Sequence, residues 1–253
     1  MIQKPPISSS NSDSDASRRW DESPRGRRLT AIEQHQVGQI VPELFGRHFL
    51  QIGQWGSGDW LQGSEMLHRA VLATASLPGA QARIDSHHLP LASKTVDALL
   101  LPHTLEFADS PHTVLREASR VLTDRGRLLL LGFNPWSALG WRRRLGLAPR
   151  ALPRRARFYS PGRVSDWLSL LDFEIAEVRR FSVGFPWLPP RADNTPFSPA
   201  VVLHPFAEAY LISAKKRVTL LNLVGRVARA QVKPLIGMPG VARRDAEPDG
   251  PPP

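Results

Sequence analysis

Two apolar runs, TVDALLLPH (95–103) and RLLLLGF (127–133), set the narrowest limit on what this chain can fold into. Both are short, aliphatic or β-branched, and apolar at successive positions, so each needs cover on both faces. Between them Val114, Leu115, Ala118, Val121 and Leu122 recur at helical spacing. Pro111 falls in the first turn of that helix, where a missing N–H costs nothing, and Ser110 or Asp109 stands ready to cap it. Asp124-Arg125-Gly126 reads as its end. A strand, a helix and a second strand, both strands apolar on two faces, form the unit of a parallel sheet covered by helices.

The same alternation extends in both directions. HFLQIG (48–53) predicts a strand that breaks into the glycine-rich GQWGSG, then a helix over SGDWLQGSEML, then strands HRAVLAT (68–74) and QARID (81–85). A further helix is predicted to open at Thr30, with Glu33 three residues on as in a capping box, and to run towards Phe45. Downstream, SPGRVSDWLSLLDF supplies a helix, and FEIAEVRRFSV and EAYLISAKKR a closing pair of strands. The expected architecture is an α/β, doubly wound, mainly parallel seven-stranded sheet with helices on both faces. The domain is placed at 28–217, with a basic insertion over 137–158. Residues 1–27 are polar, rich in Ser, Asp and Arg, and without periodicity, which predicts a disordered tail. A C-terminal extension follows over 218–253, Pro-rich and disordered from about 239.

No apolar run approaches the roughly 18 residues of a spanning helix, and the N-terminal segment has no signal-peptide core. A cytoplasmic location is the resulting expectation. The chain has no cysteine, which excludes disulfides, Cys-zinc sites and thiol catalysis. His87-His88 and His112 have no paired acids at ligand spacing, so no metal is assigned. The net charge of +10 is concentrated, with Arg18, Arg19, Arg25, Arg27 and Arg28 in one cluster and RRRLGLAPRALPRRAR (142–157) in another. Such runs are either solvated surface or a patch for RNA, DNA or anionic lipid. SALGWRRRLGL has the pattern of an amphipathic helix with a basic face, suited to a membrane, to covering a site or to a phosphate backbone.

The stretch IDSHHLPLASKTVDALLLPHTLEFADSPHTVLREASRVLTDRGRLLLLGF, from Ile84 to Phe133, resembles the type 11 branch of class I S-adenosylmethionine-dependent methyltransferases. The matching points are Asp85 after the third strand, the Leu89-Pro90-Leu91 turn, Val96-Asp97, Leu105-Glu106-Phe107, Arg120-Val121-Leu122 and Arg125-Gly126. More weakly, the resemblance runs from about Phe45 to Lys216. It implies S-adenosyl-L-methionine as cofactor and methyl transfer as activity. Ligands of open α/β sheets bind beyond the carboxyl ends of the strands, where the strand order reverses. The resemblance accordingly assigns Gly53, Gly56 and Gly58 to the amino-acid end of the cofactor, Asp85 to the adenine amino group, and His88 and Leu89 to the adenine ring. Thr74 is the polar side chain nearest the place where the family carries a ribose-binding acid. Glu65 or Asp59 is the candidate to compensate for that missing ribose acceptor, while Gln51 stands at the family's acid position after the first strand and Trp55 where a glycine is expected.

Methyl transfer from a sulfonium needs alignment more than a nucleophile, because the cofactor carries the reactive group. His103, at the end of the fourth strand and near Glu106 and Asp109, is the candidate catalytic base and cofactor neighbour; it could equally cap the strand end with a hydrogen bond. Asn134-Pro135-Trp136, with Trp141 and Trp187, is the candidate aromatic lid. The expected acceptor is a small molecule or lipid-like compound. The alternatives are a methyltransferase fold kept for binding without turnover, and an RNA- or DNA-directed enzyme using the basic surface.

Overall fold

The computed structural model describes residues 19–20, 22–53, 55, 60–73, 80–147, 156–183 and 205–217. Its centre is a seven-stranded sheet of β1 (His48–Ile52), β2 (His68–Ala73), β3 (Ala82–Arg83), β4 (Val96–Pro102), β5 (Leu122–Phe133), β6 (Phe173–Phe181) and β7 (Ala209–Lys216). The spatial order is β3-β2-β1-β4-β5-β7-β6. Strands β1 to β5 pair in parallel, and β7 runs antiparallel to both β5 and β6. The doubly wound, mainly parallel sheet expected from the sequence is the sheet observed.

Alternate residues of β4 and β5 feed two separate cores, which explains why both strands are apolar throughout. Leu99, Leu101, Leu128 and Leu130 pack with Val114, Leu115, Ala118 and Val121 of one helix and Val164 and Leu168 of another. Ala98, Leu100, Leu129 and Leu131 point to the opposite face, against Leu29, Val37 and Ile40. The helices are α1 (Pro24–Ile40), α2 (Thr104–Phe107), α3 (Pro111–Val121), α4 (Ala138–Arg144) and α5 (Pro161–Ser169), with a 3₁₀ turn at Val41–Glu43. The arrangement is three layers, with α1 on one face of the sheet and α3 and α5 on the other.

Several boundaries differ from the sequence reading. α1 opens at Pro24, not Thr30: Ser23 is its N-cap and accepts a hydrogen bond from the Gly26 N–H at 3.0 Å. Thr30 and Glu33 are therefore not a capping box but buried mid-helix residues. The polar segment before residue 28 is also partly structured. Trp20 is fully buried, edge-on to Phe133 at 6.1 Å between ring centroids. Arg25 pairs with the buried carboxylate of Glu208, just before β7, at 2.5 Å.

Where a helix was predicted over SGDWLQGSEML, the described residues Trp60–Gly63 form turns. Asp124-Arg125-Gly126 does not end α3, because β5 begins directly at Leu122. The ladder pairs Val96 with Leu122 and then Ala98 with Arg127, so residues 123–126 are looped out as an irregularity within the strand. The expectations for residues 1–18, for Trp187 and for the extension from 218 onward lie outside the described residues.

Candidate functional site

The strand order reverses at β1, which leads on one side to β2 and β3 and on the other to β4 and β5. The carboxyl ends of β1 and β4 therefore frame the crevice in which such sheets bind ligands. Gly53 follows β1 with φ of +86°, a left-handed conformation, and its N–H donates to Leu72 O at 2.8 Å. A Cβ there would lie 2.7 Å from Thr104 Oγ1. Only glycine serves, for both reasons. The Thr104 hydroxyl, just past β4, donates to Ile52 O at 2.6 Å and ties the two strand ends together. Gln51, in place of the acid, is buried and donates from Nε2 to Gly53 O at 3.0 Å. It braces the turn from inside.

His103 is the residue between β4 and α2. It takes a left-handed backbone (φ 52°) and is 0% exposed. Its Nε2 lies 2.9 Å from Glu33 Oε1 of α1, and its Nδ1 lies 3.2 Å from Glu106 Oε1 of α2. Glu106 Oε1 also accepts the Phe133 N–H at 2.7 Å. Burial by itself would lower the imidazole pKa, but the charges of Glu33 and Glu106, with the hydrogen bonds to both, drive it up to about 9. Burial pushes the Glu33 carboxyl up, against the opposing pull of His103. The two carboxyls thus favour the protonated ring, both of whose nitrogens they engage.

Both ring nitrogens are engaged by carboxylates, whereas a general base offers a lone pair to a reachable proton. His103 makes the strand-end hydrogen bonds that one of the sequence readings expects, with two glutamates as its partners. Trp55 closes the cluster. Its indole packs 4.8 Å from the His103 ring, 5.6 Å from Phe107 and 5.5 Å from Phe133, and it is fully buried. Glu33 Oε2, Glu106 Oε2, Thr30 Oγ1, Gln51 Oε1 and Trp55 Nε1 are buried without a hydrogen-bond partner. Buried polar atoms are rarely left so.

Asp85 lies just past β3, two strands from β1 and so roughly 10 Å across the sheet. Its carboxylate is largely exposed. Oδ1 accepts the His87 N–H at 2.9 Å, and the His87 and His88 rings approach at 3.1 and 3.4 Å. Partial burial would raise its pKa, but these hydrogen bonds outweigh that and hold it below the ordinary value. His88 is exposed and Leu89 buried beside it. The Leu89-Pro90-Leu91 turn is clamped from α3: Arg120 donates to Leu89 O at 3.0 Å and to Leu91 O at 2.9 Å, while Glu117, paired with Arg120, accepts the Leu89 N–H at 3.1 Å. The spacing between the turn and the Arg-Val-Leu stretch is thus one hydrogen-bonded unit.

Gly56, Gly58, Asp59 and Thr74 lie outside the described residues. Glu65 is described and exposed, and Ala73, the last residue of β2, contributes no carboxylate. Asn134 is buried and structural, its side chain donating to Pro205 O and Ala207 O at 2.8 and 2.9 Å. Trp136 and Trp141 are exposed neighbours, with ring centroids 6.5 Å apart. Among the described residues no group of three or more His, Asp or Glu could hold a metal ion, and no helix is long and apolar enough to cross a membrane.

Sequence reasoning missed the role of Glu33. The three-residue spacing from His103 to Glu106 was a usable signal in the sequence; nothing local marks Glu33.

Comparison with known proteins agrees with this fold. Residues 63–130 match the type 11 methyltransferase-domain family. The chain is 36% identical over 168 residues to the uncharacterized protein YafS of Escherichia coli (strain K12), covering 66% of this chain and 69% of YafS. An S-adenosylmethionine-dependent methyltransferase of Thermotoga maritima superposes with a TM-score of 0.56 at 19% identity, over 76% of this chain and 94% of that one. One from Archaeoglobus fulgidus does so at 0.54 and 17% identity, over 74% and 94%.

Proposed function

Because the chain belongs to the class I S-adenosylmethionine-dependent methyltransferase family, we propose that it carries a methyl group from S-adenosylmethionine to an acceptor presented over the ends of β4 and β5. The observation that carries this reading is the switch-point crevice itself, with Gly53 in a left-handed turn flush against Thr104 and the Asp85 carboxylate exposed on the same edge.

The residues are suited to the cofactor at three places. Gly53 permits close approach of backbone to the amino-acid end. Asp85 has lone pairs to spare for the adenine amino group, with His88 and Leu89 beside it for the ring. The His103 cluster sets two carboxyls against one imidazolium, so it offers a cation more negative than positive charge; the two unpartnered carboxylate oxygens, Glu33 Oε2 and Glu106 Oε2, belong to it. The ribose hydroxyls find no acid at the end of β2.

When bound, the cofactor supplies an electrophilic methyl on a sulfonium. His103 then acts as a positioning residue rather than a base. Its charge fastens α1, through Glu33, and α2, through Glu106, to the end of β4, which fixes Thr104 and the Gly53 turn. An acceptor served by this site would carry its own lone pair or shed its proton elsewhere.

A second reading, the same fold binding a ligand without turnover, is favoured by Gln51, by Ala73 and by the bulk of Trp55 beside the crevice. Thermal melting in the presence of S-adenosylhomocysteine tests the proposal. A ligand at about 100 times its Kd stabilises by about 2.7 kcal/mol, which is several degrees for a domain of this size. A melting point unmoved by millimolar ligand would remove the cofactor reading and leave the second.

A further inference from the structure

Four of the eight exposed large hydrophobic residues among those described, Trp136, Trp141, Leu145 and Leu147, fall within twelve positions. They lie on and just after α4, a short helix capped by Ser137 and seated flush on Pro135 through Gly140. Its buried side is Leu139 and Gly140, and its open side bears Trp141, Arg142 and Arg144. The cations and aromatics are interleaved. The Arg144 guanidinium lies 5.1 Å from the Trp136 ring and 5.7 Å from Trp141, and Arg143 lies 5.2 Å from Phe158.

Behind this platform is a pocket of about 430 Å³, lined by Pro135, Arg143, Arg144, Arg157 and Phe158, with Gly140 and Ala156. Among the described residues the lining holds three guanidinium groups and no carboxylate. Such a lining recognises an anion, and planar guanidinium suits phosphate. The pocket adjoins the site already described. The Phe158 ring is 5.0 Å from Phe133, whose ring is 4.1 Å from His103, and the Arg157 N–H donates to Glu106 O at 2.8 Å.

Two macromolecular surfaces offer phosphate beside material for tryptophan: nucleic acid and a lipid bilayer. The leucines decide between them. Leu145 and Leu147 are 67% and 62% exposed and have no partner in a phosphate backbone, whereas the interfacial zone of a bilayer takes aliphatic, indole and guanidinium groups together. We propose that the α4 platform docks on a lipid surface bearing anionic headgroups, and that the pocket of Arg143, Arg144 and Arg157 takes the headgroup phosphate. That the bound lipid is also the methyl acceptor rests on the methyltransferase reading; the docking does not.

Flotation of the full chain with vesicles of phosphatidylcholine, with and without phosphatidylglycerol, tests it in the absence of cofactor. Capture by the anionic vesicles is expected, weakened about tenfold or more by Arg144→Glu and again by Leu145→Ser with Leu147→Ser. These residues are exposed, and an unchanged melting curve in each variant confirms that folding is not the cause. Capture that all the variants leave unchanged would overturn the proposal by placing the binding on other arginines. So would the absence of capture, stabilisation by glycerol phosphate without vesicle binding, or RNA binding that these variants abolish while vesicle binding persists. Because no cofactor is present, failure here is distinct from failure of the methyltransferase reading.

Discussion

Glu33 and His103, seventy residues apart in the chain, meet at 2.9 Å in a fully buried contact that fastens the N-terminal helix to the end of the central strand. The contact couples the fold's stability to pH in a defined direction. A His whose folded pKa is raised to about 9 from 6.5 binds its proton more tightly when folded. Its stabilisation is complete below about pH 6.5 and is lost as pH rises through about 9. The shift corresponds to about 3 kcal/mol. Glu33, raised by burial, acts in the same direction, favouring the fold at lower pH. Melting temperature should therefore fall between pH 6.5 and 9.5, and the fall should be much shallower in His103→Gln. A wild-type profile flat across that range would contradict the assignment.

Removing one carboxylate should be visible at the ring itself. In Glu33→Gln the Coulomb attraction is halved while the acceptor oxygen is kept, so the His103 pKa should drop from about 9 towards neutrality. Nuclear magnetic resonance titration of the imidazole measures this directly. The variant leaves the imidazolium balanced by Glu106 and trades one charged hydrogen bond for a neutral one, so its loss of stability should be about 1–2 kcal/mol. A His103 pKa unchanged by the substitution would mean that Glu33 is not its principal partner.

Gly53→Ala combines two penalties, a left-handed φ of +86° and a Cβ 2.7 Å from Thr104 Oγ1. Together they should cost about 2–4 kcal/mol. Since the Thr104 hydroxyl is anchored on Ile52 O, the clash cannot be relieved without opening the β1–β4 contact. Urea unfolding of the variant checks the magnitude, and a loss under about 1 kcal/mol would show that the turn is not so confined.

The segment before α1 supports the core through Trp20. Trp20→Ala, which deletes a fully buried indole packed on Phe133, should cost about 3–5 kcal/mol. Arg25→Met should cost about 3 kcal/mol by leaving the Glu208 carboxylate, 2% exposed, without its cation. If chains lacking residues 1–23 melted like the full chain, the strap formed by Trp20 would be of no consequence.

What could be read in the sequence follows from how local each signal is. Strands β4 and β5 and helix α3 were legible because their apolar positions recur within a few residues, and β6 and β7 fell close to their predicted places. The start of α1 was misread because Thr30-x-x-Glu33 has the letters of a capping box, yet both side chains face inward, and the actual start, Ser23-Pro24, lay in a stretch dominated by polar residues. Trp20 was hidden for the same reason. At the site, the places of Gly53 after β1 and of Asp85 and Leu89 after β3 were legible from the strand pattern. The surroundings of His103 were not, because Glu33, whose carboxylate helps to raise the pKa of the ring, comes from a helix seventy residues away in the chain.

The central claim is that the crevice between β1 and β4, with Asp85 at its edge, binds S-adenosylmethionine. Calorimetric titration of the full chain with that ligand, beside Asp85→Ala, tests it most directly. Asp85 is exposed and its loss should leave the fold intact. The account predicts binding in about the micromolar range, weakened about tenfold in the variant by loss of one charged hydrogen bond. Heat absent up to about millimolar ligand, or equal affinity in both proteins, would contradict it.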